Sequence, residues 1–203
     1  IEMIQNMEDL TFARAPPSGG ELVELHLHHD AGEELFAVGV WGIYVDKAGR
    51  RKSKLVYSRS RLGRRSIPDM ELFSACLAST VGLNLISILP TVKRMRFFGD
   101  STATQAQLCS IQRPKCVFTR NRLVQVTSNT RAIESAGVDV SFNLVASEDN
   151  AIDKSTKKHN DAVQYIKTAS WLSGPDWAVL EEEQWPVNKV IRLQNDLFEE
   201  KDS

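Results

Sequence analysis

The sequence predicts an α/β protein built on a five-stranded mixed sheet, three antiparallel strands followed by parallel ones, flanked by helices. Two features of element order predict it. Three strand-like runs come first, with connections short enough only for antiparallel neighbours, and strand-like and helix-like runs then alternate, as parallel strands with crossovers require. A third feature is size: 203 residues, 42% of them apolar, suffice for one substantial core.

Glu21 to Asp30 alternates, with Leu25 and Leu27 on one face and His26, His28 and Asp30 on the other, which is a strand ending in an acid. Phe36 to Asp46 is rich in β-branched and aromatic residues and closes on the hairpin turn Asp46-Lys47-Ala48-Gly49, before a third strand from Lys52 to Leu62. Ile67-Pro68-Asp69 starts a helix, with proline and an acid in the first turn. Leu72, Cys76, Leu83 and Ile86 carry its apolar spacing to about Leu89, and Pro90 stops it. Met95 to Phe98 is a short buried strand ending in Gly99-Asp100. Helical stretches follow from Ser101 to Gln112 and from Phe118 to Ser135, the latter ended by Gly137. Val138 to Val145 is the fifth strand, followed by the polar turn Ser147-Glu148-Asp149-Asn150 and by Asp153. Trp171 to Trp177 and the residues beyond read as an extended tail.

The expected organisation is a linker arm over residues 1–20, where Pro16-Pro17-Ser18-Gly19-Gly20 lies, a domain over 21–180, and an acidic tail over 181–203. Ile1 in place of methionine suggests a piece of a longer chain. The net charge of −1 hides a dipolar sequence. Lys47, Arg50, Arg51, Lys52, Lys54, Arg59, Arg61, Arg64 and Arg65 crowd one segment, while Glu181, Glu182, Glu183, Glu199 and Glu200 make the end acidic. Cys76, Cys109 and Cys116 include no CxxC pair and leave one thiol over in any disulfide scheme, which fits a reducing compartment and argues against structural zinc. No apolar run is long enough to span a bilayer, and the N-terminus lacks the order of a signal peptide, so a soluble protein with no membrane partner is expected.

Four acids hold telling positions: Asp30 at the end of the first strand, Glu71 at the start of the first long helix, Asp100 at the end of the fourth strand, and Asp153 after the last. Taken singly, an acid at a strand end is a turn former or a solvated group. Carboxylates converging at the edge of a core need a cation, because burying unpaired charge is costly. Mg²⁺ prefers oxygen ligands and suits such a set better than zinc. Two such ions would activate water and stabilise an in-line displacement at phosphorus. His26, His28 and His29 form no competing zinc set, since alternation puts His29 on the face opposite the other two.

The order strand-Asp, helix-Glu, strand-Asp, helix-Asp resembles ribonuclease H, and local motifs resemble its BEL/Pao retrotransposon branch. The matching blocks are His29-Asp30-Ala31 with Ala37-Val38-Gly39-Val40, Tyr57-Ser58-Arg59-Ser60-Arg61, and Ile67-Pro68-Asp69-Met70-Glu71-Leu72. They continue with Phe98-Gly99-Asp100-Ser101, Phe118-Thr119-Arg120-Asn121-Arg122, Asp149-Asn150-Ala151-Ile152-Asp153, and Trp171-Leu172-Ser173-Gly174-Pro175-Asp176-Trp177, which is similar to a motif ahead of the integrase in these polyproteins. The resemblance implies a ribonuclease H-like fold and an endoribonuclease that cuts the RNA strand of RNA-DNA hybrids during reverse transcription, with two Mg²⁺ ions for which Mn²⁺ can substitute. It gives all four acids catalytic and metal-holding roles: Asp30 bridging the ions, Glu71 and Asp100 on the ion nearer the leaving group, and Asp153 on the nucleophile side.

Expected partners are hybrid or other duplex nucleic acid and the neighbouring reverse transcriptase and integrase domains. The expected location is the cytoplasm, in a virus-like particle, or the nucleus. Arg59, Ser60, Arg61, Arg120, Asn121 and Arg122 are the candidates for nucleic-acid contacts, although Arg122 serves equally to cap or brace a helix, and the basic segment is by default a solvated face. Trp171 and Trp177 read as packing anchors rather than stacking platforms. Departures from the family are Leu144, where a histidine is common, Ala151 in place of proline, Lys154 in place of an apolar residue, and the end Ser155-Thr156-Lys157. They support an alternative reading, a domesticated module that binds nucleic acid or a protein without cutting. An integrase or transposase is disfavoured because Glu71 lies on the first long helix, whereas strand transferases take their glutamate from a later one.

Overall fold

The structure, a computed structural model, describes residues 19–110, 114–157 and 170–193. The expected N-terminal arm up to residue 18, and the end of the helix expected to reach Gln112, lie outside the described residues.

Three long strands, β1 (Glu21–Ala31), β2 (Leu35–Val45) and β3 (Arg51–Leu62), pair antiparallel in succession. The β2–β3 turn is held by the Asp46 carboxylate, which accepts from the Ala48 and Arg50 amides at 2.9 and 3.0 Å, and Gly49 supplies the positive φ of 77° that the turn needs. Helix α1 (Ile67–Ile86) starts where the Ser66 hydroxyl accepts from the Asp69 amide, and it ends three residues before the expected Leu89. Strand β4 (Arg94–Gly99) then runs parallel to β1. Helices α2 (Thr102–Cys109) and α3 (Val117–Ser135) lead to β5 (Asp139–Val145), parallel to β4. The one-turn helix α4 (Asp153–Thr156) follows, then α5 (Ser170–Ser173).

The expected class, a mixed sheet with an antiparallel half and a parallel half, is the one observed, but among the described residues it has six strands rather than five. Strand β6 (Val187–Ile191) adds antiparallel to β5, giving the order β3-β2-β1-β4-β5-β6. The segment expected to be an extended tail is therefore part of the sheet and of its cover.

The reason lies in the second face. Helices α1 and α3 cover one face, packing Leu72, Ala78, Val81, Val126 and Ile133 against Leu25, Leu27, Met95, Phe97 and Phe142. The other face also holds large side chains: His26, His28 and Phe98 are fully buried. Trp177 and Trp185, from short 3-10 turns after Gly174-Pro175, close over them, with ring centroids 4.9 Å apart for His26 and Trp185 and 5.1 Å for Phe98 and Trp177. The alternation of β1 thus marks a strand buried on both faces. Beneath this cover the buried Glu24 carboxylate meets Arg51 at 3.1 Å, Arg94 at 3.4 Å and Arg96 at 3.7 Å, and Arg96 also reaches Asp139 and Glu182.

Candidate metal centre

Parallel pairing decides where the acids meet. His28 of β1 lies beside Phe98 of β4, so Asp30 and Asp100, each two residues further on, leave the sheet at the same carboxyl-terminal edge. Leu62, the last residue of β3, pairs with Leu35 at that edge, and α1 begins five residues later, which delivers Glu71 there too. The result is a cluster in which Asp30, Glu71 and Asp100 each offer an oxygen within 4.8 Å of the others.

The cluster is electrostatically unsatisfied. Burial, reinforced by the charges of Asp100 and Asp153 against a hydrogen bond from Thr156, pushes the Asp30 carboxyl up to about 6. Burial together with Asp30 and Asp100 pushes Glu71 up to about 8. One Glu71 oxygen, Oε2, is buried without a hydrogen-bond partner among the described residues. Crowded carboxylates and an orphaned oxygen, with no thiol or imidazole in the group, fit a hard divalent cation such as Mg²⁺. His26, His28 and His29 stay outside it.

Asp153, the fourth expected acid, is buried on α4 and adds its charge to Asp30 and Glu71, but its own carboxylate is ion-paired with Lys157. Three further residues hold the site together and were not singled out from sequence. The Thr156 hydroxyl donates to Asp30, and the Ser147 hydroxyl donates to Asp100 at 2.5 Å. Asn150 donates through Nδ2 to the His29 carbonyl at 3.0 Å and pairs through Oδ1 with His28 Nδ1 at 3.3 Å, so it pins the 147–150 turn to β1. Each is an ordinary turn residue by type, and only the fold brings it beside an acid.

His29 has a supporting place behind the cluster. The Ser74 hydroxyl gives its one proton to the Glu71 carbonyl at 2.7 Å, so at 2.9 Å it must accept from His29 Nδ1–H. Burial pushes the His29 ring down to about 4, which keeps it neutral. Gly99 allows this packing, since a Cβ there would lie 2.6 Å from the ring.

The nucleic-acid candidates do not form one strip. Arg59 and Arg61 pair with Val38 and Phe36 and lie on the helix side of the edge strand, whereas Ser60, opposite Ala37, faces the other way. Arg59, Arg61 and Arg122 share the walls of a cavity of about 560 Å³ with Phe73, Leu77 and Val81. Arg122 braces α1 against α3, its guanidinium 4.9 Å from the Phe73 ring and 5.4 Å from that of Phe118. Arg120 and the exposed Asn121 sit in the first turns of α3. Arg51, from the basic run, turns inward to Glu24.

Among solved structures, the chain is similar to RNase H1 from the halophilic archaeon Halobacterium salinarum NRC-1, at 16% identity and a TM-score of 0.42 over 70% of this chain and 98% of that one. It is also similar to the N-terminal RNase H domain of a Mycobacterium tuberculosis protein, at 12% identity and a TM-score of 0.45 over 73% and 99%. LC11-RNase H1 in complex with an RNA/DNA hybrid gives 12% identity and a TM-score of 0.42 over 71% and 98%. No curated protein matches the sequence. Residues 1–101, which include Asp30, Glu71 and Asp100, match the model of a family described as a Pao retrotransposon-like RNaseH-like domain. With its mixed sheet carrying those three acids at one edge, the chain belongs to this RNaseH-like family.

Proposed function

We propose that this domain is a metal-dependent endonuclease that hydrolyses the RNA strand of RNA-DNA hybrids, working with two Mg²⁺ ions that Mn²⁺ can replace. The observation that carries the reading is the convergence of Asp30, Glu71 and Asp100, in which Glu71 Oε2 is buried without a hydrogen-bond partner among the described residues. Asp30, Glu71 and Asp100 would hold one ion, and Asp30 with Asp153 the other. Bound there, the ions would lower the pKa of the attacking water and stabilise charge on the phosphate oxygens. The protein's part is to fix the carboxylates beforehand: Thr156 orients Asp30, Ser147 orients Asp100, and the His29–Ser74–Glu71 chain locks the start of α1 onto β1. Arg59 and Arg61, exposed on the edge strand, would take phosphates. The natural setting of such a domain is a polyprotein beside a reverse transcriptase and an integrase.

The test is cleavage of a labelled hybrid, with double-stranded RNA and double-stranded DNA alongside, in Mg²⁺ and in Mn²⁺. Cutting of the hybrid alone, lost in Asp100→Asn, is the expected result. Hybrid binding without cleavage in either metal would replace the enzyme with a binding module.

A further inference from the structure

The Ser155-Thr156-Lys157 end of the last motif falls in the metal centre itself. Gly32 makes this possible: an added Cβ there would lie 2.4 Å from the Thr156 carbonyl oxygen, so α4 is packed directly against the end of β1. From that position the Thr156 hydroxyl reaches Asp30, and one residue later the Lys157 ammonium reaches the Asp153 carboxylate. The Lys157 side chain is 58% exposed, whereas that of Asp153 is 13% exposed. The lysine therefore leans in from solvent over an acid that is already in place, and it can swing out again without disturbing the core. Asp30 and Asp100 act on the same ammonium from further off.

We propose that Lys157 is a built-in competitor for the second divalent ion. Its ammonium occupies the Asp153 carboxylate that an ion on that side needs, while Asp30, Glu71 and Asp100 remain open to the first. This inference rests on the metal-dependent reading above and adds to it an order of loading: one ion binds readily, and the second binds only as Lys157 is displaced. A cation that must be expelled, and whose charge repels the incoming ion, weakens the second site by about tenfold or more.

The test counts Mn²⁺ bound to the full chain, by calorimetric titration and by the Mn²⁺ paramagnetic resonance signal, without substrate. Wild type, Lys157→Met, Lys157→Arg and Asp100→Asn are compared, with thermal unfolding to confirm that each is folded. The expected result is one tight and one weak ion in wild type and in Lys157→Arg, a second ion tightened about tenfold in Lys157→Met, and loss of the tight ion in Asp100→Asn. A Lys157→Met titration identical to wild type, with the tight ion still lost in Asp100→Asn, would overturn the competitor and leave the metal centre standing. Absence of Mn²⁺ binding to both wild type and Lys157→Met would overturn the metal-dependent reading and the competitor with it.

Discussion

Glu71 and Asp30 are held well above ordinary carboxylates, near 8 and 6, by burial first and then by neighbouring charge, that of Asp30 and Asp100 on Glu71 and that of Asp100 and Asp153 on Asp30. A carboxyl whose folded pKa exceeds its unfolded value favours folding while protonated, fully so below about 4.5 for glutamate, and that contribution is lost as pH rises through the folded value. In EDTA the protein should therefore lose stability between about pH 5 and pH 8. Mg²⁺ should restore it increasingly over the same interval, because the ion binds the deprotonated acids. Melting temperatures measured against pH with and without Mg²⁺ check this, and parallel curves would contradict it. Glu71→Gln should stabilise the metal-free protein at pH 8 by roughly 1–3 kcal/mol while abolishing cleavage, the usual exchange between stability and a charged site. Glu24 is the opposite case. Its burial disfavours the charge, yet His26, Arg94 and Arg96 outweigh that and hold its pKa below the ordinary value. Glu24→Ala would take the buried anion from between Arg51 and Arg96, leaving Arg96 to Asp139 and Glu182 and Arg51 to the exposed Glu181, and should cost up to about 3 kcal/mol in urea unfolding, with no direct effect on the distant acids.

The elements differ in how far local pattern announces them. Helix α1 is legible because its proline, its first-turn acid and its apolar spacing all lie within its own residues, and the ends of β1 and β4 are legible because each closes on an acid after a strand-like run. Two parallel strands then put their acids at one edge, so the order of elements alone brings Asp30 and Asp100 together. Strand β6 is different: Val-Asn-Lys-Val-Ile is only five residues, and its identity comes from pairing with β5, a contact made some 45 residues away in sequence. The Trp177 and Trp185 turns have no period at all, and their role becomes visible only once His26, His28 and Phe98 are seen to need a cover. Thr156 and Ser147 were hidden for the same reason, being hydroxyls in turns until the fold set them against Asp30 and Asp100. Removing the cover tests this account. Trp185→Ala should cost about 3–5 kcal/mol, as for other buried aromatics, and should expose His26 and Phe98 to solvent. A loss near zero in urea unfolding would show that the C-terminal segment decorates the sheet without supporting it.

Across the whole molecule, a net charge of −1 conceals a sorting of charge by place. Acids gather at the carboxyl-terminal edge of the parallel strands, and a second, mixed network ties Glu24, Arg51, Arg96, Asp139 and Glu182 together under the C-terminal cover. The basic run between Lys47 and Arg65 divides accordingly, with Arg51 neutralised inside while Arg59 and Arg61 stay exposed at the end of β3 nearest the acids. Nucleic-acid binding driven by the exposed members releases counterions, so each phosphate contact adds about 0.9 to the slope of log affinity against log salt for a duplex. Arg59→Gln with Arg61→Gln should therefore weaken hybrid binding at low salt and flatten that slope by about 2. Arg51→Gln should lower stability and leave the slope unchanged, since its charge is already spent on Glu24. Affinities measured between about 50 and 200 mM salt, where such slopes are read, separate the two variants. An unchanged slope in the Arg59 and Arg61 double variant would move the phosphate path off the edge strand, toward Arg120 and Asn121 at the start of α3.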